Sequence, residues 1–515
     1  MNRLPPSLTL SLLALAILTG APAFPVDVRA AAGPIIRTDA GRVQGTSGDV
    51  VVFTGIPFAR PPVGELRWKA PRSAEPWRDV RPATEFGPAC MQARDRRKSE
   101  DCLYLNIWAP ASALAAGSGS RNLPVMVWTF GGSFTGGSGD IAGSALASRG
   151  VIVVSFNYRV GTFGFLAHPQ LSAESPQRAS GNYGLLDAVA ALRWVQRNVS
   201  QFGGDPSRVT LWGNSAGASV ITALMVSPTA KGLFQRVILQ SPGAMRHWKT
   251  LPDAEAQGAS LGQDIKALRS LPADQVPLIQ NLGGTRGIRS LFEPREIGPV
   301  LDGYVLKEEE REAFEGGRMN VSDVLVGNSM DEGGGFTAAY AVKTRDAYHK
   351  YLNDPAIFGS FGREALAVYP VASDLDVPRA VADGFGDSQF YFGARGIAQA
   401  MISKTPNVYR YRFVRKSDGG TGRDARHGAE VAYVMGNVAG AQYNADDRTL
   451  SNIMMDAWVR FASTGSPNGG AIPHWPRFDS AVDPYMVLDI HPEVARGLRG
   501  TELDFIGRVQ RATKR

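Results

Sequence analysis

Three runs of the chain, Leu123-Pro124-Val125-Met126-Val127-Trp128-Thr129-Phe130, Val151-Ile152-Val153-Val154-Ser155-Phe156 and Val209-Thr210-Leu211-Trp212-Gly213, are apolar almost without interruption. A strand with one face in water alternates polar and apolar residues, so unbroken runs of this length belong to strands covered on both faces. Between and after them lie segments of helical period. Leu185, Val189, Leu192 and Val195 mark one helix ending near Asn198, and a second runs from about Ser215 to Met225. Strands alternating with helices dictate an α/β fold: a mostly parallel central sheet with helices on both faces. Val237–Gln240 and Asp323–Gly327 continue the sheet, and Cys102–Trp108 reads as an earlier strand. Shorter strands are expected at Pro34–Thr38 and Val50–Phe53, with the Pro-, Arg- and Trp-rich stretch 61–100 as surface loop. Residues 345–400 read as an aromatic-rich helical cap or lateral layer.

A chain of 515 residues buries a large core, and 20% charged residues with 44% hydrophobic ones is the composition of a folded enzyme. The formal charge of +7 is dispersed, with no run of five or six cations, so it does not point to nucleic acid. The N-terminus differs in character. Met1-Asn2-Arg3 precedes an uncharged apolar stretch from Leu8 to Ala21, followed by small residues at Ala21-Pro22-Ala23 and Ala30-Ala31-Ala32. This is the layout of a cleaved signal peptide over 1–32, too short for a comfortable membrane anchor, with the globular part starting at residue 33 and running to 515. The expected location is the periplasm or the medium. Cys90 and Cys102 are the only cysteines, and an even pair in an exported chain reads as one disulfide closing a short loop. The six histidines include no close pair, so a metal site is not expected, and no cofactor is implied.

Gly213-Asn214-Ser215-Ala216-Gly217 follows one of the apolar runs and opens a helix. On so tight a turn the neighbours two residues away must be small, the serine hydroxyl stands clear of the sheet, and the Ala216 N–H faces the same space. A serine needs a base. His427 lies in a polar segment after the strand candidate Val408–Phe413, and His247 rivals it on spacing alone. An acid to orient the base is available in Asp331 and Glu332, both just past the strand Asp323–Val326. The order Ser, acid, His is that of α/β-hydrolases. Phe130-Gly131-Gly132-Ser133-Phe134 follows another buried strand, where small residues let main-chain N–H groups approach a substrate carbonyl.

These residues resemble a known family. Gly55-Ile56-Pro57-Phe58-Ala59-Arg60-Pro61-Pro62-Val63-Gly64, Glu100-Asp101-Cys102-Leu103-Tyr104-Leu105-Asn106, the Ser215 pentapeptide, Gln240-Ser241, Asp331-Glu332-Gly333, His427-Gly428-Ala429-Glu430, Phe461–Asn468 and Trp475-Pro476 are similar to the type-B carboxylesterases, which include cholinesterases and bacterial p-nitrobenzyl esterases. The resemblance spans about residues 34–490. It implies an α/β-hydrolase, selects Glu332 over Asp331, assigns the histidine to His427 and the oxyanion donors to Gly132, Ser133 and Ala216, and makes Ser241 a partner of the acid. Phe130 and Ser133 depart from the family's usual residues in ways that keep a backbone donor. The loop Met91–Asp101 lacks the tryptophan that holds choline in cholinesterases, which argues against choline esters.

The expected activity is hydrolysis of a small-molecule carboxylic ester through a serine acyl-enzyme. Amide, thioester or carbamate hydrolysis on the same residues is the nearest rival. A non-catalytic, neuroligin-like binding protein is the remote one, because such members typically lose the nucleophile. Arg423 and Arg426 flank His427, and Arg286, Arg289 and Arg295 precede Gly298-Pro299-Val300, which in the family contributes to the acyl side of the gorge. Guanidinium groups there would favour an ester carrying a carboxylate on its acyl or alcohol part. Oligomeric state is not legible in the sequence.

Overall fold

The computed structural model describes residues 32–512 except 94, 96, 116–121, 280–292, 322 and 417–424. The segment read as an export signal lies outside the described residues, apart from Ala32, which opens the first strand.

In chain order the strands of the two larger sheets are β1 (Ala32–Arg37), β2 (Arg42–Thr46), β3 (Val50–Pro57), β4 (Val80–Pro82), β5 (Tyr104–Pro110), β6 (Leu123–Thr129), β7 (Ile152–Phe156), β8 (Gly204–Asn214), β9 (Arg236–Gln240), β10 (Asp323–Ser329), β11 (Val408–Phe413), β12 (Pro484–Leu488) and β13 (Glu493–Arg496). β1, β2 and β4 make a small separate sheet. The central sheet has ten described strands in the order β13-β12-β11-β10-β9-β8-β6-β7-β5-β3. All neighbours from β12 to β7 run parallel, while β3, β5 and β13 pair antiparallel at the two margins. The sheet is therefore mixed but mostly parallel. β7 and β10 are buried at every position, as unbroken apolar strands under two covering layers must be.

Around the sheet lie α1 (Tyr183–Asn198), α2 (Ala216–Val226), α3 (Val377–Gly386), α4 (Phe392–Met401), α5 (Ala445–Thr464) and α6 (Gly500–Ala512). α2 is buried from Ala216 through Met225, which explains a sequence with no charged residue. α5 begins with a reciprocal cap between Asn444 and Asp447 and stops at Gly465, whose φ of 79° only glycine adopts without strain. Residues 345–401 form the expected helical layer. It has its own core of Tyr348, Leu352, Phe358, Tyr369, Val381 and Phe385, completed by Phe505, Ile506 and Val509 of α6. Cys90 and Cys102 are bonded. No described helix is long and apolar enough to cross a membrane.

The register positions the site. Asn214 pairs with Gln240, Gln240 with Gly327, and Ser329 with Phe413, so β8 to β11 end together at one edge of the sheet. Loops leaving the carboxyl ends of parallel strands share one crevice, and Ser215, Ser241, Glu332 and His427 all lie just beyond these ends.

One buried ion pair ties the loop after β7 to α1. Arg159 grips both oxygens of Asp187 through Nε and Nη2, each at 2.7 Å, and its backbone N–H adds a bond of 3.0 Å. Asp187→Ala would leave a guanidinium at 3% side-chain exposure without its counter-ion. The expected loss is about 3–5 kcal/mol of unfolding free energy, read from urea unfolding curves; a loss below about 1 kcal/mol would show the pair to be dispensable.

Candidate active site

Ser215 occupies the single residue between β8 and α2, with φ 58° and ψ −126°. A non-glycine residue is held at positive φ only when its surroundings over-determine it. Here the surroundings are backbone. A Cβ on Gly217 would lie 2.1 Å from the Thr129 carbonyl oxygen, and one on Gly213 would lie 2.7 Å from the same atom. The two glycines of the pentapeptide let the turn press against the end of β6. Gly131 does the same from the other side, since its Cβ would meet the Asn214 carbonyl at 2.6 Å and the Ser215 Cβ at 3.1 Å. The Ser215 N–H donates to the Gln240 carbonyl at 2.9 Å, fixing the elbow to β9.

The loop expected to carry oxyanion donors is tightly folded. The Thr135 and Gly136 N–H groups both donate to the Gly132 carbonyl, and Ser133 and Phe134 have φ of 56° and 62°. Phe130 stacks on Tyr158 at 4.2 Å, and the Tyr158 hydroxyl donates to the Phe130 carbonyl at 2.8 Å, so the aromatic departure at Phe130 anchors the loop. Ala216 is the first residue of α2, whose opening N–H groups have no acceptor within the helix.

Glu332 lies 2% exposed beneath the crevice. Its Oε1 accepts from the Ser241 hydroxyl at 2.6 Å, the Ser329 N–H at 2.9 Å and the Asn328 amide at 3.1 Å. Its Oε2 lies 2.5 Å from His427 Nδ1. An oxygen pair already accepting from three donors makes Nδ1 the donor, which leaves Nε2 with the lone pair in the neutral ring. Nε2 is buried and has no hydrogen-bond partner among the described residues. Asp331 plays a different part: its Oδ1 accepts from the Gly334 N–H at 2.9 Å and its backbone pairs with Arg426. That pairing includes the His427 N–H donating to the Asp331 carbonyl at 3.0 Å, which sets the histidine loop against the acid loop. Gly428, at φ 78°, then passes the Asn214 side chain so closely that a Cβ would be 3.2 Å from Oδ1. His427 thus comes to the elbow. His247 does not: it is a partly exposed residue 3.6 Å from Glu309.

Two neighbours, Phe390 and Phe336, carried no signal in the motifs, and Glu430 stands in one without an assigned role. Phe390 lies against the His427 ring at 4.3 Å between centroids, and Phe336 meets it edge-on at 5.2 Å. Phe390 is in a π-helical turn, Asp387–Tyr391, inside the aromatic-rich layer. Glu430 is a second buried carboxyl, whose Oε2 accepts from the Ser329 hydroxyl at 2.8 Å; burial first and the charge of Glu332 second push its titration upward. Of the arginines expected near the site, Arg286, Arg289 and Arg423 lie outside the described residues. Arg426 is exposed, whereas Arg295 points inward over the Phe134 ring at 5.6 Å. Among the described residues, no group of three or more His, Cys, Asp or Glu side chains could hold a metal.

Residues 32–506 match the profile of the Carboxylesterase family. The chain is 44% identical over 493 residues to a fumonisin B1 esterase of Sphingopyxis macrogoltabida, covering 91% of this chain and 89% of that protein. It is 35% identical over 489 residues to the para-nitrobenzyl esterase of Bacillus subtilis, covering 88% and 94%. A solved PNB esterase structure superposes with a TM-score of 0.78 at 34% identity, covering 92% of this chain and 99% of that one. Matches spanning nearly the whole length, on a sheet whose strand ends gather serine, glutamate and histidine, make this chain an α/β-hydrolase enzyme of the carboxylesterase family, one that hydrolyses esters.

Proposed function

We propose that ester hydrolysis proceeds through an acyl-enzyme on Ser215, with His427 moving the proton and Glu332 orienting His427. The observation that carries this reading is the Glu332–His427 contact, with Nε2 buried and without a hydrogen-bond partner among the described residues and Gly428 packed against Asn214 of the elbow. Nε2 takes the hydroxyl proton as Ser215 Oγ attacks the ester carbon. The oxygen that becomes anionic turns toward the N–H groups of Gly132, Ser133 and Ala216, each such donor contributing roughly 2.7–4 kcal/mol to the transition state. His427 then passes its proton to the departing alcohol, and water repeats the steps to release the acid. The imidazolium that forms twice per turnover is favoured by the Glu332 carboxylate, which Ser241, Asn328 and Ser329 hold in place.

The substrate is a small ester, and no cofactor is needed for these steps. Fumonisin B1, named for the relative from Sphingopyxis, is the first natural ester to assay. The basic, apolar N-terminus and the Cys90–Cys102 bridge support export to the periplasm or medium of a catalytic unit that begins at residue 33.

Ser215→Ala is expected to lower kcat by more than about a thousandfold on any activated ester while leaving thermal unfolding unchanged. Wild-type enzyme mixed with excess 4-nitrophenyl acetate should release a burst of nitrophenol where deacylation is slower than acylation, and acid-quenched protein should carry the acetyl mass on the Ser215 peptide. Retention of more than about one part in a thousand of kcat by Ser215→Ala would reject the covalent route. Ser241→Ala removes one hydrogen bond to a charged group, worth about 1.5–3 kcal/mol. It should therefore lower kcat by about ten- to a hundredfold with KM little changed, because the bond steadies the acid rather than the substrate.

A further inference from the structure

α3 runs into α4 through a widened turn. Between Gly386 and Phe392 the helix takes the π form over Asp387–Tyr391, and all five residues are buried. A π turn is a rare departure from α-helix that occurs mostly at functional sites, and other contacts must make good the regular hydrogen bonding it gives up. Ser388 supplies part of that, its hydroxyl donating to the Gly384 and Phe385 carbonyls, each at 2.9 Å. The other four side chains all leave this helix for other elements.

Two of them reach the residues of the proposed mechanism. Phe390 lies on the His427 ring, with 4.3 Å between centroids. Among the described residues that ring makes one hydrogen bond, from Nδ1 to Glu332. A ring held at one corner can tilt about it, so the aromatic packing fixes where Nε2 points. Tyr391 acts on the acid: its hydroxyl donates to the Ser329 carbonyl at 2.8 Å, and the Ser329 N–H donates to Glu332. Two glycines bring the helix this close. A Cβ on Gly386 would lie 3.0 Å from the Glu332 Cβ, and one on Gly333 would lie 1.9 Å from the Ala382 carbonyl of α3.

The other two side chains tie the turn down. Gln389 takes a hydrogen bond from Arg246, itself 7% exposed. Asp387, 1% exposed, meets Arg499 with both oxygens, Nε facing Oδ1 and Nη2 donating to Oδ2 at 2.6 Å, while the Tyr369 hydroxyl donates to Oδ2 at 3.0 Å. Arg499 immediately precedes α6 and also lies 5.9 Å over the Tyr391 ring. Its φ of 54° is one a non-glycine residue keeps only when its surroundings hold it. A carboxylate buried within a helix is costly unless paired, so the turn depends on the start of α6 for its counter-ion.

We propose that the π turn Asp387–Tyr391 is a positioning element of the hydrolysis, locked to α6 by the Asp387–Arg499 pair and holding His427 through Phe390 and Glu332 through Tyr391 and Ser329. The inference rests on the Ser215, His427 and Glu332 reading. Phe390, Tyr391 and Arg499 are positioning residues, since each acts through the histidine or the acid. Phe390 has a second effect: when the ring becomes an imidazolium, an aromatic face beside it favours the cation. The C-terminal helix thereby sets the rate of a reaction whose atoms it does not touch.

The test is steady-state hydrolysis of 4-nitrophenyl acetate, with kcat expressed per active site. Sites are counted by the stoichiometric release of nitrophenol from a 4-nitrophenyl alkylphosphonate, so unfolded protein does not enter. Phe390→Leu and Arg499→Met should each lower kcat by about tenfold or more with KM little changed, as misplacement of a reacting group does. Tyr391→Phe, which removes one neutral hydrogen bond, should lower it by about three- to tenfold. Arg499→Lys should recover part of the loss. The double variant Phe390→Leu/Arg499→Met should lose no more than Phe390→Leu alone, to within about twofold, whereas independent sites would multiply their losses. Arg508→Ala breaks a different pair of α6, with Glu364, and should leave kcat as in wild type. Where Arg499→Met does not fold, Asp387→Asn, which removes the charge and keeps an acceptor for Tyr369, replaces it in the same cycle. Unchanged kcat in Phe390→Leu and Tyr391→Phe, losses confined to the number of titrated sites, multiplying losses in the double variant, or an equal loss in Arg508→Ala would overturn the proposal. If Ser215→Ala is inactive while Phe390→Leu is unmoved, only the positioning role fails. An active Ser215→Ala would sink the serine reading and this one with it.

Discussion

The close approach of backbone to backbone at the Ser215 elbow is the constraint on which the site depends. Three loops meet there: the elbow itself, the Gly131–Phe134 loop from β6 and the Gly428 corner behind His427. Each contact is closed at a distance that a Cβ would forbid or crowd, 2.1 Å at Gly217, 2.6 Å at Gly131 and 3.2 Å at Gly428. A methyl group at Gly217 has no flexible neighbour to displace, only the backbone carbonyls of Thr129 and Phe130, so the strand end or the helix start would have to move. Any such shift would separate Ser215 from the N–H groups proposed to face the oxyanion, because both are carried by these same turns.

Strain collects at that point. Ten described non-glycine residues have positive φ, and Ser133, Phe134, Ser215, Ser241 and Met245 are five of them. All five lie in the loops that leave β6, β8 and β9 at one edge of the sheet. Backbone conformations of this kind cost about 1–3 kcal/mol each and persist only where surrounding structure holds them. The sheet supports two of them, Ser215 N–H on the Gln240 carbonyl and Ser241 N–H on the Gly327 carbonyl, and the Glu310 side chain holds the Met245 N–H. A parallel sheet buried on both faces is stiff enough to hold turns that an exposed hairpin would let relax.

How much of this was legible follows from the range of each signal. Local signals gave the sheet-forming runs, α1 to within two residues at its start, and the elbow. The pairing of Glu332 with His427 needed the family resemblance, because the acid and the base are 95 residues apart and Asp331 is chemically as suitable. The structure separates the two acids by geometry: Asp331 points to the Gly334 N–H, and Glu332 points to the ring. The C-terminal helix α6 went unread, since its apolar face of Phe505, Ile506 and Val509 covers the lateral layer, a partner no periodicity names. The arginines divide in the same way. Arg426 is close to His427 in sequence yet exposed, whereas Arg246, with nothing around it in sequence to mark it, is buried beside Arg295. Proximity along the chain is a poor guide to proximity across a cavity.

Two carboxyl groups under one histidine raise a final physical point. Glu332 and Glu430 are both buried, and Ser329 bridges them, its N–H on Glu332 and its hydroxyl on Glu430. Two adjacent buried carboxylates repel, so one is driven toward its neutral form, and the one with fewer donors yields. Glu332 accepts from Ser241, Ser329, Asn328 and His427. Glu430 has the Ser329 hydroxyl, its own backbone N–H and a long contact of 3.4 Å from the Tyr411 hydroxyl, and its titration is the one displaced upward. The richer set of donors thus belongs to the carboxyl that faces His427, the one proposed to stabilise the imidazolium. A second full charge at Glu430 would instead compete for the donors Ser329 supplies. In the proposed mechanism, which needs one proton on Nδ1 and Nε2 free, this unequal sharing of hydrogen bonds gives the better-supported carboxylate to the group that faces the ring.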